Sequence, residues 1–150
     1  MTRDSRADCA GYTILELMIA LFIVSILAVV ALPSYHGYKM RTQIAAELPL
    51  AAPMKLAITE NYLTNMSWFG NNSDAGFLAK ETYSTKLLTS IEISNTPVAG
   101  AITLTYNSDE LPQLGSNNTI IFYPSATKGG VTWACDAGTI VEKYLPPQCR

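Results

Sequence analysis

Glu16 is the residue whose chemistry is hardest to ignore. It is the sole charged residue in an apolar run, positions 12–32, which reads YTILELMIALFIVSILAVVAL and is about 21 residues long. Roughly 20 such residues cross the hydrocarbon core of a bilayer. A carboxylate placed there costs several kcal/mol unless it finds a partner, which makes it a functional candidate by default. Two readings stand side by side. Glu16 follows Tyr12 by only four residues, near enough to the start of the run to stay hydrated. Alternatively it is neutralised by a cation. Neither Lys nor Arg occurs between Tyr12 and Tyr38, so the cation has to be created. A cut after Gly11 would leave an α-ammonium on Tyr12, at i, i+4 spacing in the same chain or facing Glu16 of a neighbour in a helix bundle. Before the cut that charge does not exist, so processing would switch on the ability to associate.

The other reactive side chains form no catalytic set. The single histidine, His36, lies just beyond the apolar run and reads as an interfacial side chain. The three cysteines, Cys9, Cys135 and Cys149, show no C-x-x-C spacing, which disfavours zinc. Asp109-Glu110 is an acidic pair in a turn segment, read as a solvated turn, with a weak calcium site as the lesser alternative. No G-x-x-x-x-G-K-[ST] string is present to cradle a nucleotide phosphate. The chain is therefore expected not to be an enzyme and to need neither cofactor nor metal. Its formal charge of −2 gives no bulk attraction for nucleic acid.

The elements that must position Glu16 follow from composition. Of 150 residues 49% are hydrophobic and 15% charged, with the apolar excess near the N-terminus. A secretory signal places its cleavage site after an apolar core. Here Leu32-Pro33 occupies that place, so any cut belongs before the run and leaves the helix on the mature chain. Ser25 breaks the run mid-helix and can bond back to the i−4 carbonyl, softening it. Leu48, Ala52, Leu56, Thr59 and Leu63 recur at spacings of 4, 4, 3 and 4, predicting a helical face buried on a sheet with Lys55 and Glu60 pointing elsewhere. Pro49 and Pro53 conflict with a straight helix, so a bend near one of them is expected, with helix to about Leu63. Residues 66–100 read as a long irregular connection holding the turn cluster GNNSDAG. Ile102, Leu104 and Tyr106 alternate with threonines as one strand. Residues 119–123 form a second, and Val131, Trp133 and Cys135 form a third after the turn Lys128-Gly129-Gly130. A fourth is expected at 139–144. Short turns between consecutive strands predict an antiparallel meander packed on the helix.

The string GYTILELMIALFIVSILAVVALPSY resembles the N-terminus of type IV prepilins. The resemblance is carried by Gly11, Thr13, Glu16, Leu17, Met18, Pro33, Tyr35 and Tyr38. It implies cleavage between Gly11 and Tyr12 by a prepilin peptidase, N-methylation of Tyr12, Glu16 as the assembly charge, and a helix kink at Pro33. The sequence departs from the usual motif in having Tyr12 for Phe, Leu and Ile exchanged at 14–15, Ser25 for a mid-helix glycine, and a head whose Arg3 and Arg6 are offset by Asp4 and Asp8. The ending WACDAGTIVEKYLPPQC is similar to the disulfide-bounded loop of type IVa pilins. That similarity implies a Cys135–Cys149 bond closing a loop of about 15 residues, a closure contributing roughly 3 kcal/mol. Cys9 would leave with the leader, and the remaining pair fits an oxidising compartment.

The resemblance implies an α+β fold. Residues 1–11 are a cleaved leader, 12–33 a transmembrane and filament-core helix, and 34–150 a globular head with an amphipathic helical half, a connecting loop, about four antiparallel strands and the C-terminal loop. It implies a structural subunit, a type IVa major pilin, polymerising through its N-terminal helix and supporting adhesion, twitching motility and DNA uptake. The implied partners are other pilin subunits in a helical homopolymer, the prepilin peptidase, an inner-membrane platform protein, assembly ATPases acting indirectly and an outer-membrane secretin. Before assembly the chain would sit in the inner membrane as a single pass with its N-terminus cytoplasmic; afterwards it would lie in the extracellular pilus. The alternatives are a type II secretion pseudopilin or a minor pilin acting as a DNA- or receptor-binding module. The last would want a basic stripe, and Lys80, Lys86, Lys128, Lys143 and Arg150 are scattered in sequence, so a nucleic-acid partner is not indicated.

Overall fold

The computed structural model describes residues 11–136 and 138–150. The expected leader, with Cys9, lies outside the described residues. Contacts divide the chain into two units, Met1–His36 and Gly37–Arg150.

The first unit holds the N-terminal turns of helix α1, Ile14–Glu47. Within it Ile14–Ala31 is long and apolar enough to cross a membrane by length and composition, and none of those 18 residues is buried. Ser25 donates its hydroxyl to the Phe22 carbonyl at 2.7 Å, three residues back and not the four expected. Position 33 lies within α1; the Pro33 side chain, where the kink was expected, is outside those described.

In the second unit α1 gives way to a 3₁₀ turn, Leu48–Ala51, and then to α2, Ala52–Asn65. The two prolines dictate this. In an α-helix the Pro49 carbonyl would accept the amide of residue 53, but residue 53 is also proline and has no N–H. The Ala52 amide bonds to the Pro49 carbonyl instead, closing a tighter i→i+3 turn. The interruption therefore falls where the prolines predict, and helix resumes to Asn65.

The predicted buried face is one residue out of phase. The residues buried on the helical side are Met40, Ile44, Leu48, Ala51, Met54 and Ile58, while Ala52, Leu56 and Leu63 are exposed. A 3₁₀ turn rotates about 120° per residue against about 100° in an α-helix, so four such residues advance the face by about 80°, close to one position. Beyond Leu48 the inward side is 51, 54 and 58, flanked by half-buried 55 and 62, instead of 52, 56, 59 and 63. Lys55 is thereby turned toward the sheet, contrary to the outward orientation expected of it.

Four strands, β1 Leu88–Ser94, β2 Ala101–Tyr106, β3 Thr119–Thr127 and β4 Gly130–Asp136, form an antiparallel meander in the order β1-β2-β3-β4. Ile91 faces Leu104, Leu104 faces Ile120, and Phe122 faces Cys135 in the ladders. Ile91, Ile93, Ile102, Leu104, Tyr106, Ile120 and Phe122 bury against Ile44, Leu48, Met54 and Ile58 in one core. The strand expected at 139–144 is absent: that stretch is a turn leading to a 3₁₀ helix, Glu142–Tyr144. The fourth strand is β1, inside the stretch read as irregular. Its outer edge is covered by Asn72, whose side chain donates to the Ile91 carbonyl at 3.0 Å and accepts the Ile93 amide at 2.6 Å. One amide side chain thus does the work of a neighbouring strand.

Candidate functional site

Glu16 stands at the third position of α1, and the residue that starts the helix is Thr13. The Thr13 hydroxyl accepts the Glu16 amide at 3.2 Å, and the Leu17 amide donates to the Thr13 carbonyl at 3.2 Å. Thr13-x-x-Glu16 is a capping box in sequence, in which the first residue satisfies an orphan amide at N3. A carboxylate in the first turn also meets the positive end of the helix dipole. Glu16 therefore has a local reason to stand there besides any partner charge. The sequence carried this signal, and it went unread because the apolar run dominated. Gly11 has open space around its α-carbon and Tyr12 is 83% exposed, so the junction between them is accessible.

Among the described residues the apolar stretch is exposed along its whole length. Leu17, Leu21, Phe22 and Val29 are each more than half exposed. Fully covering one such side chain contributes about 1.5–3 kcal/mol, so this surface demands either lipid or other helices.

At the other end of the chain Cys135 on β4 and Cys149 form a disulfide with Cα atoms 4.6 Å apart. The loop between them is laced onto the body. Ile140, Leu145 and Cys149 are buried. The Thr139 amide donates to the Thr119 carbonyl at 3.1 Å, and the two threonine hydroxyls meet at 2.9 Å. Arg41 on α1 donates to the Lys143 carbonyl at 3.4 Å. What remains exposed is a short rim that includes Val141, Glu142 and Lys143.

Between helix and sheet lies a feature that sequence reasoning missed. The Lys55 ammonium sits 3.2 Å from the centroid of the Phe122 ring and 5.7 Å from Trp133. The Trp133 indole N–H donates to the Thr59 hydroxyl at 3.2 Å, and that hydroxyl donates to the Lys55 carbonyl at 2.7 Å. Burial lowers the Lys55 pKa to about 8, while the ring faces favour the charged form. The scattered lysines do not gather into a stripe: Lys80 pairs with Glu92 at 3.0 Å and Lys86 with Glu110 at 3.5 Å. Among the described residues no group of three His, Cys, Asp or Glu side chains could hold a metal.

An uncovered apolar helix joined to an α+β head with a disulfide-bounded end is an arrangement with known relatives. The family model for pilin, a bacterial filament protein, matches residues 40–150. The chain belongs to the pilin family. A second model, the prokaryotic N-terminal methylation motif, matches residues 6–32 of this pilin, a span that includes Gly11, Tyr12 and Glu16. The pilin is 34% identical over 140 residues to a fimbrial protein, EcpC, of Eikenella corrodens, covering 93% of this chain and 90% of that one. It is 32% identical over 159 residues to the type IV major pilin protein PilE of Neisseria gonorrhoeae, covering 93% of each. The type IV major fimbrial protein FimA of Dichelobacter nodosus is 32% identical over 156 residues, covering 91% of this chain and 92% of its own. In structure the pilin resembles a type IV pilin of Pseudomonas aeruginosa, with a TM-score of 0.54 and 26% identity, over 74% of this chain and 97% of that one. It is a structural subunit of a bacterial filament and not an enzyme.

Proposed function

We propose that this pilin is the major subunit of a type IV pilus. It is made as a precursor, cut between Gly11 and Tyr12 by a prepilin peptidase, and N-methylated on Tyr12. Residues 12–33 hold it in the inner membrane, N-terminus inward, until it polymerises through the same helix. The observation that carries this reading is the 18-residue apolar stretch Ile14–Ala31 without one buried residue, beside a head that has a complete core of its own. Such a surface needs two successive coverings, lipid before assembly and neighbouring helices after it. The Tyr12 ammonium released by the cut is then the cation that neutralises Glu16 inside the bundle, in the same chain or across subunits. The inner-membrane platform, the assembly ATPases and the outer-membrane secretin follow as partners, and adhesion, twitching motility and DNA uptake as roles of the finished filament.

The experiment is intact-mass analysis of sheared filaments together with immunogold labelling. The expected result is a mass for residues 12–150 plus one CH2, the methyl replacing a hydrogen, and less the two hydrogens of one disulfide, with label along the whole shaft. Filament protein that retains residues 1–11 sinks the processing scheme, and label confined to tips makes the chain a minor pilin. The nucleic-acid-binding alternative is weakened by the pairing of Lys80 and Lys86 with Glu92 and Glu110, which removes two of the five cations such a stripe would use.

A further inference from the structure

A different set of cations converges where the last turns of α1 meet the C-terminal loop. Arg41 and Arg150 line one open concavity of about 370 Å³, together with Tyr38, Ala45, Pro146 and Pro147. Arg41 is anchored by one N–H to the Lys143 carbonyl at 3.4 Å. A guanidinium has five donors in a planar fork, so most of its capacity is unused. Among the described residues the ion pairs within 4.0 Å are Lys80–Glu92 and Lys86–Glu110, and neither arginine has a carboxylate partner. The nearest acid in sequence on the loop, Glu142, does not line the concavity.

Two guanidinium forks with unused donors, one of them anchored at Lys143, line one hollow. Their geometry matches the oxygens of a phosphate, which Arg takes two at a time. The remaining walls are mostly carbon, from Tyr38, Ala45 and the two prolines, with neutral polar groups on Thr42 and Gln148. A hollow with cationic donors on one part and mostly carbon on the rest suits a phosphate that carries an organic group with hydroxyls better than a bare ion. Position narrows the choice. Tyr38 follows Ala31, the last residue of the apolar stretch, by seven residues in the same helix. With that stretch in a bilayer and its N-terminus inward, the chain tethers the hollow close to the outer-face headgroups, where Tyr is enriched as at either interface and where the charge of an anionic lipid attracts a cation within a Debye length.

We propose that Arg41 and Arg150 form a binding site for the phosphate of an anionic phospholipid headgroup, with Tyr38 and the Pro146-Pro147 corner receiving the attached glycerol. The inference rests on the membrane stage of the function proposed above. It would hold the unassembled subunit among anionic lipids until neighbouring subunits displace them.

The test uses the full mature chain in detergent micelles, observed by NMR at the arginine Nε–H groups. The probes are short-chain phosphatidylglycerol, short-chain phosphatidylcholine, inorganic phosphate and a single-stranded DNA oligonucleotide. Phosphatidylglycerol should shift the Arg41 and Arg150 signals at lower concentration than phosphatidylcholine. Arg41→Gln and Arg150→Gln should each weaken that response about fivefold, the factor that corresponds to roughly 1 kcal/mol per cation at an anionic lipid surface. Arg150 is exposed, so Arg150→Gln leaves the core intact. Inorganic phosphate binding as tightly as phosphatidylglycerol would keep the phosphate site and overturn the lipid as its ligand. Equal response in wild type and both variants, no shift at either arginine, or tighter binding of the oligonucleotide would overturn the proposal. Reconstitution of the same chain into nanodiscs separates the two readings: failure to insert refutes the membrane stage, while the soluble headgroup titration still decides the pocket.

Discussion

The Tyr106 hydroxyl donates to the Ile44 carbonyl at 2.8 Å in the buried seam between β2 and the helix. Burial raises the Tyr106 pKa, and the nearby Glu47 carboxylate adds to that, both favouring the protonated phenol that donates this bond. The bond joins residues 62 positions apart, just before the helix tightens into its 3₁₀ turn. Tyr106→Phe should remove the bond without removing the ring. The expected loss is about 1–2 kcal/mol, the usual cost of a buried hydrogen bond with one partner left behind. For a head of this size that is a fall of several degrees in melting temperature. Thermal unfolding followed by circular dichroism measures it, and an unchanged melting temperature would show that the carbonyl finds its satisfaction within the helix.

Lys55 should give the head an unusual alkaline stability profile. The folded chain releases its Lys55 proton near pH 8, the unfolded chain near 10.5. Between those values the unfolded state holds more protons, so this group makes stability rise with pH across the window. The contribution is complete above the unfolded value and is lost as pH falls through the folded one. Its size is about 1 kcal/mol or less, because the ammonium is only half-buried and solvent screens it. Urea unfolding of wild type and Lys55→Met at pH 7.5, 9 and 10 tests the sign: wild type should gain on the variant as pH rises. A constant difference would mean that Phe122 and Trp133 hold the proton as firmly as water does.

How these contacts could be read from sequence differs from one to the next. Ile102, Leu104 and Tyr106 announce β2 because one face of it is core and the other is not, and alternation is a local property. Ile91 and Ile93 alternate with Glu92 in the same way, yet β1 was hidden by the apolar residues around it, Phe77, Leu78 and Leu87. β1 is a strand because it pairs with β2 and has its outer edge closed by Asn72, 19 residues away from Ile91, and neither partner lies in the short window in which alternation is read. Thr139 and Ile140 look like a strand but meet β3 through Thr119 alone, with Gly138 at φ +52° turning the chain away. The Lys55 orientation was lost to a geometric detail, a few residues of 3₁₀ twist that rotate everything beyond them. The Cys135–Cys149 pair was legible because it closes a short motif at the end of the sequence.

The disulfide should matter more than its position near the chain end suggests. Cys149 is 2% exposed and the loop it closes buries Ile140 and Leu145. Cys149→Ser would open a loop whose closure contributes roughly 3 kcal/mol and put a hydroxyl in an apolar site. A total loss of about 2–5 kcal/mol is expected. Denaturant unfolding of the variant reads it directly, and piliation should fall because less folded subunit is available. A wild-type midpoint in the variant would show that the loop is held by its buried side chains and the Thr119–Thr139 pair without the bond.

Glu16 has two separable properties, a shape that suits the third position of a capped helix and a negative charge, and a pair of substitutions can divide them. Glutamine serves in a capping box as glutamate does, but it has no charge to pair with the Tyr12 ammonium and little attraction for the helix dipole. Alanine lacks both. In the proposed filament the carboxylate lies where lipid and water are displaced, and the one cation at that depth is the amine made by cleavage. Apolar helices can slide past one another at small cost, whereas a slipped register would strand a buried charge, so the pair would fix the axial position of each subunit. On this reasoning Glu16→Gln and Glu16→Ala should both be cleaved and folded in the membrane, and both should assemble poorly as the sole copy. Either should enter filaments with wild type, since one missing carboxylate among many is tolerated. Comparing membrane-held subunit with sheared filament for the two variants decides the matter. Normal assembly of Glu16→Gln with defective assembly of Glu16→Ala would reduce Glu16 to a helix-capping residue beside Thr13. Normal yield and spacing from both would remove it from assembly altogether and leave recognition by the peptidase as its function.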